Sequence, residues 1–289
     1  MRNIFPKFIF KELKKNKKIF ILLGDIGVFG FRNVFEKYGK NILNLGVLEQ
    51  SMISFAAGLA LKGKIVFAHT IAPFLVNRAL EQIKIDVCYQ NLNINIVSTG
   101  ASLDYSALGS THHCPDDVGV LMQIPNLKIY TPGNADEFLL NLKQYKSDSP
   151  KYFRMSSEVH CYTKKIIHNQ SLIKKGSKGL IIVIGPAFRF IEKNLEKINT
   201  NIIYLNCIKP LNSNFINKFY KRKIMIIQDF YKYSLTGEIV KIFQEKDIVL
   251  KEIGLPKLFF KNYGKTSDHF KKLKLTEQDI LKEIRNYFK

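Results

Sequence analysis

The segment Asn44-Leu45-Gly46-Val47-Leu48-Glu49-Gln50-Ser51-Met52, continuing as ISFAAGLALKG to Gly63, decides how the chain is read. A strand-like NILNLG leads into a small, apolar helix pattern, and Glu49 sits at the seam between them. Burying an unpaired carboxylate costs several kcal/mol or forces it to take up a proton. Glu49 therefore either has a polar partner inside the fold or awaits a ligand from outside it.

The rest of the chain supplies the frame for that seam. Apolar runs alternate with helical patterns: residues 18–25 (KIFILLGD), 64–70 (KIVFAHT), 92–99 (LNINIVST), 127–133 (LKIYTPG) and 151–156 (KYFRMS) read as strands. Between them, 72–90 reads as one long helix. Residues 118–126 read as a short helix capped by the pair Asp116 and Asp117, and 134–147 as a helix opened by Asn134. Strands alternating with helices at short spacing imply an α/β fold with parallel sheets, whose ligands gather at the carboxyl ends of the strands. The polar, Gly-containing loop 100–117 emerges at such an end. After a polar stretch, read as a linker or an edge excursion, a second α/β unit begins at GLIIVIGPAF and continues through NIIYLNCIKPLN and KIMIIQDF. Two parallel-sheet sandwich domains are expected, residues 1–164 and 165–289.

Composition narrows the class. The 289 residues carry 45 Lys+Arg against 24 Asp+Glu, a net charge of +21 and a pI near 9.7. The positive residues are mostly scattered lysines. No segment interleaves Arg with aromatics as a base-stacking surface does, so nucleic acid is not the expected partner. Cys88, Cys114, Cys161 and Cys207 lie far apart without C-x-x-C, which argues against structural zinc and a disulfide framework. No run approaches the roughly 20 apolar residues of a membrane span, and the N-terminus lacks a cleavage-site pattern, so a cytoplasmic protein is expected.

Few local motifs carry chemistry alone. There is no G-x-G-x-x-G, Walker A, H-E-x-x-H or G-x-S-x-G. Gly24-Asp25-Ile26-Gly27 begins like a diphosphate-binding G-D-G but has Ile26 at the second Gly, and reads as a strand-end turn. His112-His113-Cys114, with Asp116 and Asp117 behind, is the densest polar cluster. Adjacent loop side chains seldom converge on one ion, so the reading is a loop presenting a His to a substrate rather than a metal centre. Phe74 alone reads as a core aromatic, and Arg154 as a surface ion-pair residue or an anion hook.

Taken together, the pieces resemble the transketolase family of thiamine diphosphate enzymes over almost the whole chain. NLGVLEQSM with AAGLALKG, the run from Thr70 to Phe74 and RALEQ is similar to the family's pyrimidine-binding domain. GSTHHCPDD, IPNLKIYTPGNADEF, IKPLN and QDFYKYSLTGEI resemble its later motifs, in order. The resemblance implies that Glu49 is catalytic: in this family a Glu hydrogen-bonds the cofactor's pyrimidine ring nitrogen and so promotes loss of the thiazolium proton. It implies that Phe74 stacks on that ring, with Ile71 where a first pocket Phe is usual. His112 is implied as a proton-transfer and substrate-binding group, and His113 and Arg154 as further contacts to a sugar or sugar phosphate.

Departures qualify the match. Gly100 and Ala101 replace the His and Asp of a T-H-D stretch, Leu108 replaces an acidic residue, and His113 replaces Gln. The cofactor pocket is kept, whereas the usual sugar-recognition set is not. The domain that binds diphosphate and Mg2+ through G-D-G…N has no counterpart here. The resemblance therefore implies the second subunit of a split transketolase, with an N-terminal-half partner subunit holding diphosphate and Mg2+, no metal ligands in this chain, and a heterotetramer. Two alternatives are a non-catalytic subunit that retains the fold and a 2-oxoacid dehydrogenase β-like subunit.

Overall fold

The computed structural model describes residues 1–162 and 169–289, so the expected boundary at 164/165 lies outside the described residues. Along the chain run β1 (Ile19–Leu23), β2 (Ile42–Asn44), β3 (Ile65–Ile71), β4 (Ile94–Thr99), β5 (Lys128–Tyr130) and β6 (Lys151–Arg154). They are followed by β7 (Gln170–Lys174), β8 (Leu180–Ile184), β9 (Asn201–Leu205), β10 (Cys207–Lys209), β11 (Lys223–Tyr231) and β12 (Val249–Leu255). The helices are α1 (Ile4–Lys15), α2 (Arg32–Tyr38), α3 (Glu49–Leu61), α4 (Leu80–Gln82), α5 (Asp117–Met122) and α6 (Ala135–Leu142), then α7 (Ser213–Asn217), α8 (Thr236–Ile242), α9 (Thr266–Lys272) and α10 (Glu277–Tyr287).

The strands form two sheets, ordered β10-β5-β6-β4-β3-β1-β2 and β12-β11-β8-β9-β7. Pairing is parallel except at two edges, β10 with β5 and β7 with β9. Every residue of β4, β8 and β9 is buried. Strands covered on both faces read as continuous apolar runs, which is why INIVST and LIIVI are legible as central parallel strands. β7 lies in the polar stretch read as a linker or edge excursion, and it is an edge strand. β10 belongs by sequence to the second half yet closes the first sheet, so the two halves share a sheet edge.

Local chemistry explains several elements. Asn134 opens α6 by accepting the Glu137 backbone N–H at 3.0 Å on its side-chain oxygen. The Gly24–Gly27 segment is a strand-end turn, with Asp25 and Gly27 at positive φ and the Asp25 carboxylate accepting from Asn44 Nδ2 at 3.0 Å. α1 was not expected. It buries Phe5, Phe8, Ile9 and Leu13 and turns its lysines outward. Residues 72–90 are not one regular helix: π-helical segments Phe74–Arg78 and Ile83–Tyr89 flank the short α4. Among the described residues no helix is long and apolar enough to cross a membrane.

Two features fix the loops around the strand ends. Arg154, at the end of β6, is 1% exposed. Its Nε donates to Asp117 Oδ2 at 2.8 Å and its Nη1 to Asp229 Oδ1 at 3.1 Å, so one guanidinium ties β6 to α5 and to β11 of the second sheet. Tyr152 also donates to Asp117, at 2.7 Å. After β4 the chain turns at Gly100 with φ +80°, and a Cβ there would stand 2.1 Å from the Tyr105 ring. Glycine is required twice, by dihedral and by space.

Two substitutions probe these ties. Arg154→Met should lower unfolding free energy by about 3–5 kcal/mol, because it strands two buried carboxylates; urea titration reads this. Gly100→Ala should destabilise through both clash and dihedral. Adding Tyr105→Ala should remove the clash and leave about 1–2 kcal/mol of left-handed backbone strain.

Candidate active site at the carboxyl ends of the first sheet

The first sheet runs from β1 outward to β2, then returns to β3 on the other side of β1. That reversal is where α/β sheets open a crevice for ligands. Glu49 follows β2, Ile71 ends β3 with Phe74 just beyond it, and His112 lies in the loop after β4.

Glu49 is the first residue of α3 and is 1% exposed. The helix N-terminus favours a carboxylate, and an internal partner completes its charge balance. Arg78 Nη1 lies 2.5 Å from Glu49 Oε2, while Oε1 is buried with no hydrogen-bond partner among the described residues. The Arg78 guanidinium carbon also stands 4.5 Å from the Phe74 ring centroid. Phe74 in turn meets His112 edge to face, with ring centroids 5.2 Å apart. Glu49, Phe74 and His112, expected as one site from positions far apart in the chain, are thus joined through Arg78 and the Phe74 ring. His112 is half-buried, and its Nδ1 lies 3.0 Å from Thr111 Oγ1.

The neighbouring residues separate into those at the site and those behind it. Ile71 is half-buried at the end of β3. His113 turns away from His112 and packs against Phe260 and His269 of the second domain. Among the described residues neither of its ring nitrogens has a well-aligned hydrogen-bond partner, and burial, followed by the nearby His269 charge, pushes its pKa below the ordinary value. It still borders a pocket of about 350 Å³ that Phe74, Arg78 and Thr111 share with Tyr231 and Phe260. Ser110 Oγ donates to the Phe260 carbonyl at 2.5 Å, so a second-domain loop braces the loop that carries His112.

Arg154 does not meet the expectation of an anion hook. Its charge is consumed by Asp117 and Asp229 inside the protein, so it supports the fold rather than offering a cation to a sugar phosphate. Nor is it a surface ion-pair residue: the pairs are made, but at a buried seam. His112, His113 and Cys114 do not converge, and among the described residues no three His, Cys, Asp or Glu side chains are grouped to hold a metal.

Sequence reasoning missed two residues. Arg78 lies four positions after Phe74, a helical spacing that places its side chain over the ring and could have signalled the contact. Tyr105 fills the space beside Gly100, where the resemblance puts a His, and its ring lies 6.4 Å from that of His112. Nothing in its local sequence marks that placement.

Comparison with known proteins bears on the family and the fold. Residues 1–159 match the family model "Transketolase, pyrimidine binding domain". A 33.6 kDa protein in the fasciation locus of Rhodococcoides fascians is 32% identical over 203 residues, 70% of this chain and 65% of that protein, so the matched region falls just short of two thirds of that relative. An apulose-4-phosphate transketolase subunit of Actinobacillus succinogenes is 28% identical over 236 residues, 76% of this chain and 73% of that relative. A solved structure described as a split gene transketolase, inactive β4 tetramer, shares the fold with a TM-score of 0.82 at 20% identity, covering 98% of this chain and 96% of that one. The family match spans 159 of the 289 residues, and the chain belongs to the transketolase family.

Proposed function

We propose that this chain is the second subunit of a split, thiamine diphosphate-dependent transketolase that moves a two-carbon ketol unit between sugars or sugar derivatives. The observation that carries the reading is Glu49: a desolvated carboxylate at a strand-end crevice, with one oxygen unpartnered among the described residues and the other bound to an arginine that lies over the Phe74 ring. Such a group fits the pyrimidine half of thiamine diphosphate, which presents a ring nitrogen to a carboxylate and a flat face to Phe74. When bound, the cofactor supplies the carbon nucleophile and the electron sink for ketol transfer. Glu49 holds a proton at the ring nitrogen, Phe74 fixes the ring plane, and His112 exchanges protons with substrate oxygen. Ile71 packs at the edge of the ring site, and His113 backs the substrate pocket.

The partner is proposed to be the N-terminal-half subunit, which binds diphosphate and Mg2+. Support comes from Val47 and Leu48, exposed apolar side chains just before Glu49, and from Phe55 and Leu61, exposed farther along the helix that Glu49 opens. An apolar strip beside a catalytic carboxylate is what a subunit interface leaves open when its partner is removed. A heterotetramer acting in the cytoplasm completes the reading, in keeping with the four free cysteines. The loss of the usual recognition residues at Gly100 and Leu108 favours a substrate other than the common pentose phosphates.

The test mixes this chain with a partner bearing G-D-G…N, thiamine diphosphate and Mg2+, and follows ketol transfer from several ketose donors. Glu49→Gln should reduce turnover by about 100-fold or more, and Phe74→Ala should weaken cofactor binding. Undiminished transfer by the Glu49 variant overturns the mechanism. Cofactor binding without transfer from any donor supports a non-catalytic subunit instead.

A further inference from the structure

Arg78 occupies both contacts that the proposed ring site offers. Its guanidinium is a flat, delocalised cation lying over Phe74, where an aromatic ring would stack, and it donates to Glu49, where a ring nitrogen would bind. The two modes exclude one another, since a ring taking both contacts would stand where the guanidinium stands. We infer that Arg78 is an internal latch that closes the pyrimidine site of the subunit and must swing out for the cofactor ring to enter. The inference rests on the proposed function, because the competitor it names is the cofactor's pyrimidine.

Three features favour opening of the latch. The Arg78 side chain is 39% exposed, whereas Glu49 is buried, so the mobile partner is the arginine. Arg78 borders two hollows, the pocket beside Asp116 and a surface hollow of about 490 Å³ that contains Glu81. Each offers a carboxylate to receive the displaced guanidinium. Its backbone closes the π-helical segment Phe74–Arg78, and such wide turns recur at functional positions in helices. The closed state also keeps the buried Glu49 carboxylate paired when no ring is present, which a permanently open site would not.

A closed fraction lowers apparent affinity in proportion to the share of molecules that are open. The experiment compares the assembled two-subunit enzyme with its Arg78→Met and Arg78→Lys variants, measuring calorimetric binding of thiamine diphosphate and of inorganic pyrophosphate, each with Mg2+. Pyrophosphate carries no pyrimidine and serves as the control. Arg78→Met should bind thiamine diphosphate about tenfold more tightly, with pyrophosphate binding unchanged. Arg78→Lys keeps the charge but loses the planar stack, and should tighten thiamine diphosphate by a smaller factor; it decides the question if the Met variant does not fold. Weaker or unchanged thiamine diphosphate binding in the folded variants, or an equal gain for pyrophosphate, overturns the latch while leaving the ring site in place. If the wild-type enzyme binds thiamine diphosphate no better than pyrophosphate, the ring site itself is wrong and the latch falls with it.

Discussion

One guanidinium holds the architecture together. Arg154 lies at the end of β6, fully buried, between a carboxylate of the first domain and one of the second. A buried charge of this kind tolerates no slack, because separating it from either carboxylate leaves uncompensated charge in a dry interior. The seam it fixes sets where the second domain stands against the first. That placement lets the second-domain loop reach Ser110 and brace the His112 loop. The site is therefore assembled from strand ends of one sheet, but its outer wall is held from the other domain.

Glu49 is governed by the same electrostatics at smaller scale. A carboxylate at 1% exposure needs a partner, and the chain provides one through Arg78. The two options raised by the sequence, an internal partner or an external ligand, turn out to be compatible. Oε2 is satisfied within the fold and Oε1 is not. A residue half satisfied in this way is poised to exchange one planar partner for another. That is a different condition from the Arg154 seam, where both carboxylates and the cation are enclosed together.

The contrast shows what a sequence discloses. Continuous apolar runs such as LIIVI and INIVST reveal central parallel strands, because burial on both faces removes alternation. Asn134 announces a helix start through its side chain alone. The family motifs brought Glu49, Phe74 and His112 to one site. What stayed hidden depends on distance or on unusual period. The carboxylates that bury Arg154 lie 37 and 75 residues away, so its local sequence does not disclose the buried seam. A 3.6-residue period cannot register π-helical turns, so residues 72–90 read as one helix. β10 has three residues, too few for any periodicity, and its place on the first sheet is a tertiary choice. His113 shares its motif with His112 but faces the second domain, and neighbours in a loop carry no signal of which way each ring turns.

Exposure at the crevice connects these points to assembly. Val47 and Leu48 precede α3 with apolar side chains in water, while the partly exposed Arg78 pairs with Glu49 at the helix's first residue. Water at that opening is what lets a half-exposed guanidinium sit over an aromatic ring at modest cost, since its outer edge remains solvated. On the proposed reading, a second subunit covering this face would remove that solvation. The Arg78–Glu49 pair would then bear a larger desolvation penalty than an uncharged ring in the same place. Closure of the interface and release of the arginine would in this way be favoured by the same loss of water, which would couple completion of the proposed site to entry of its ring.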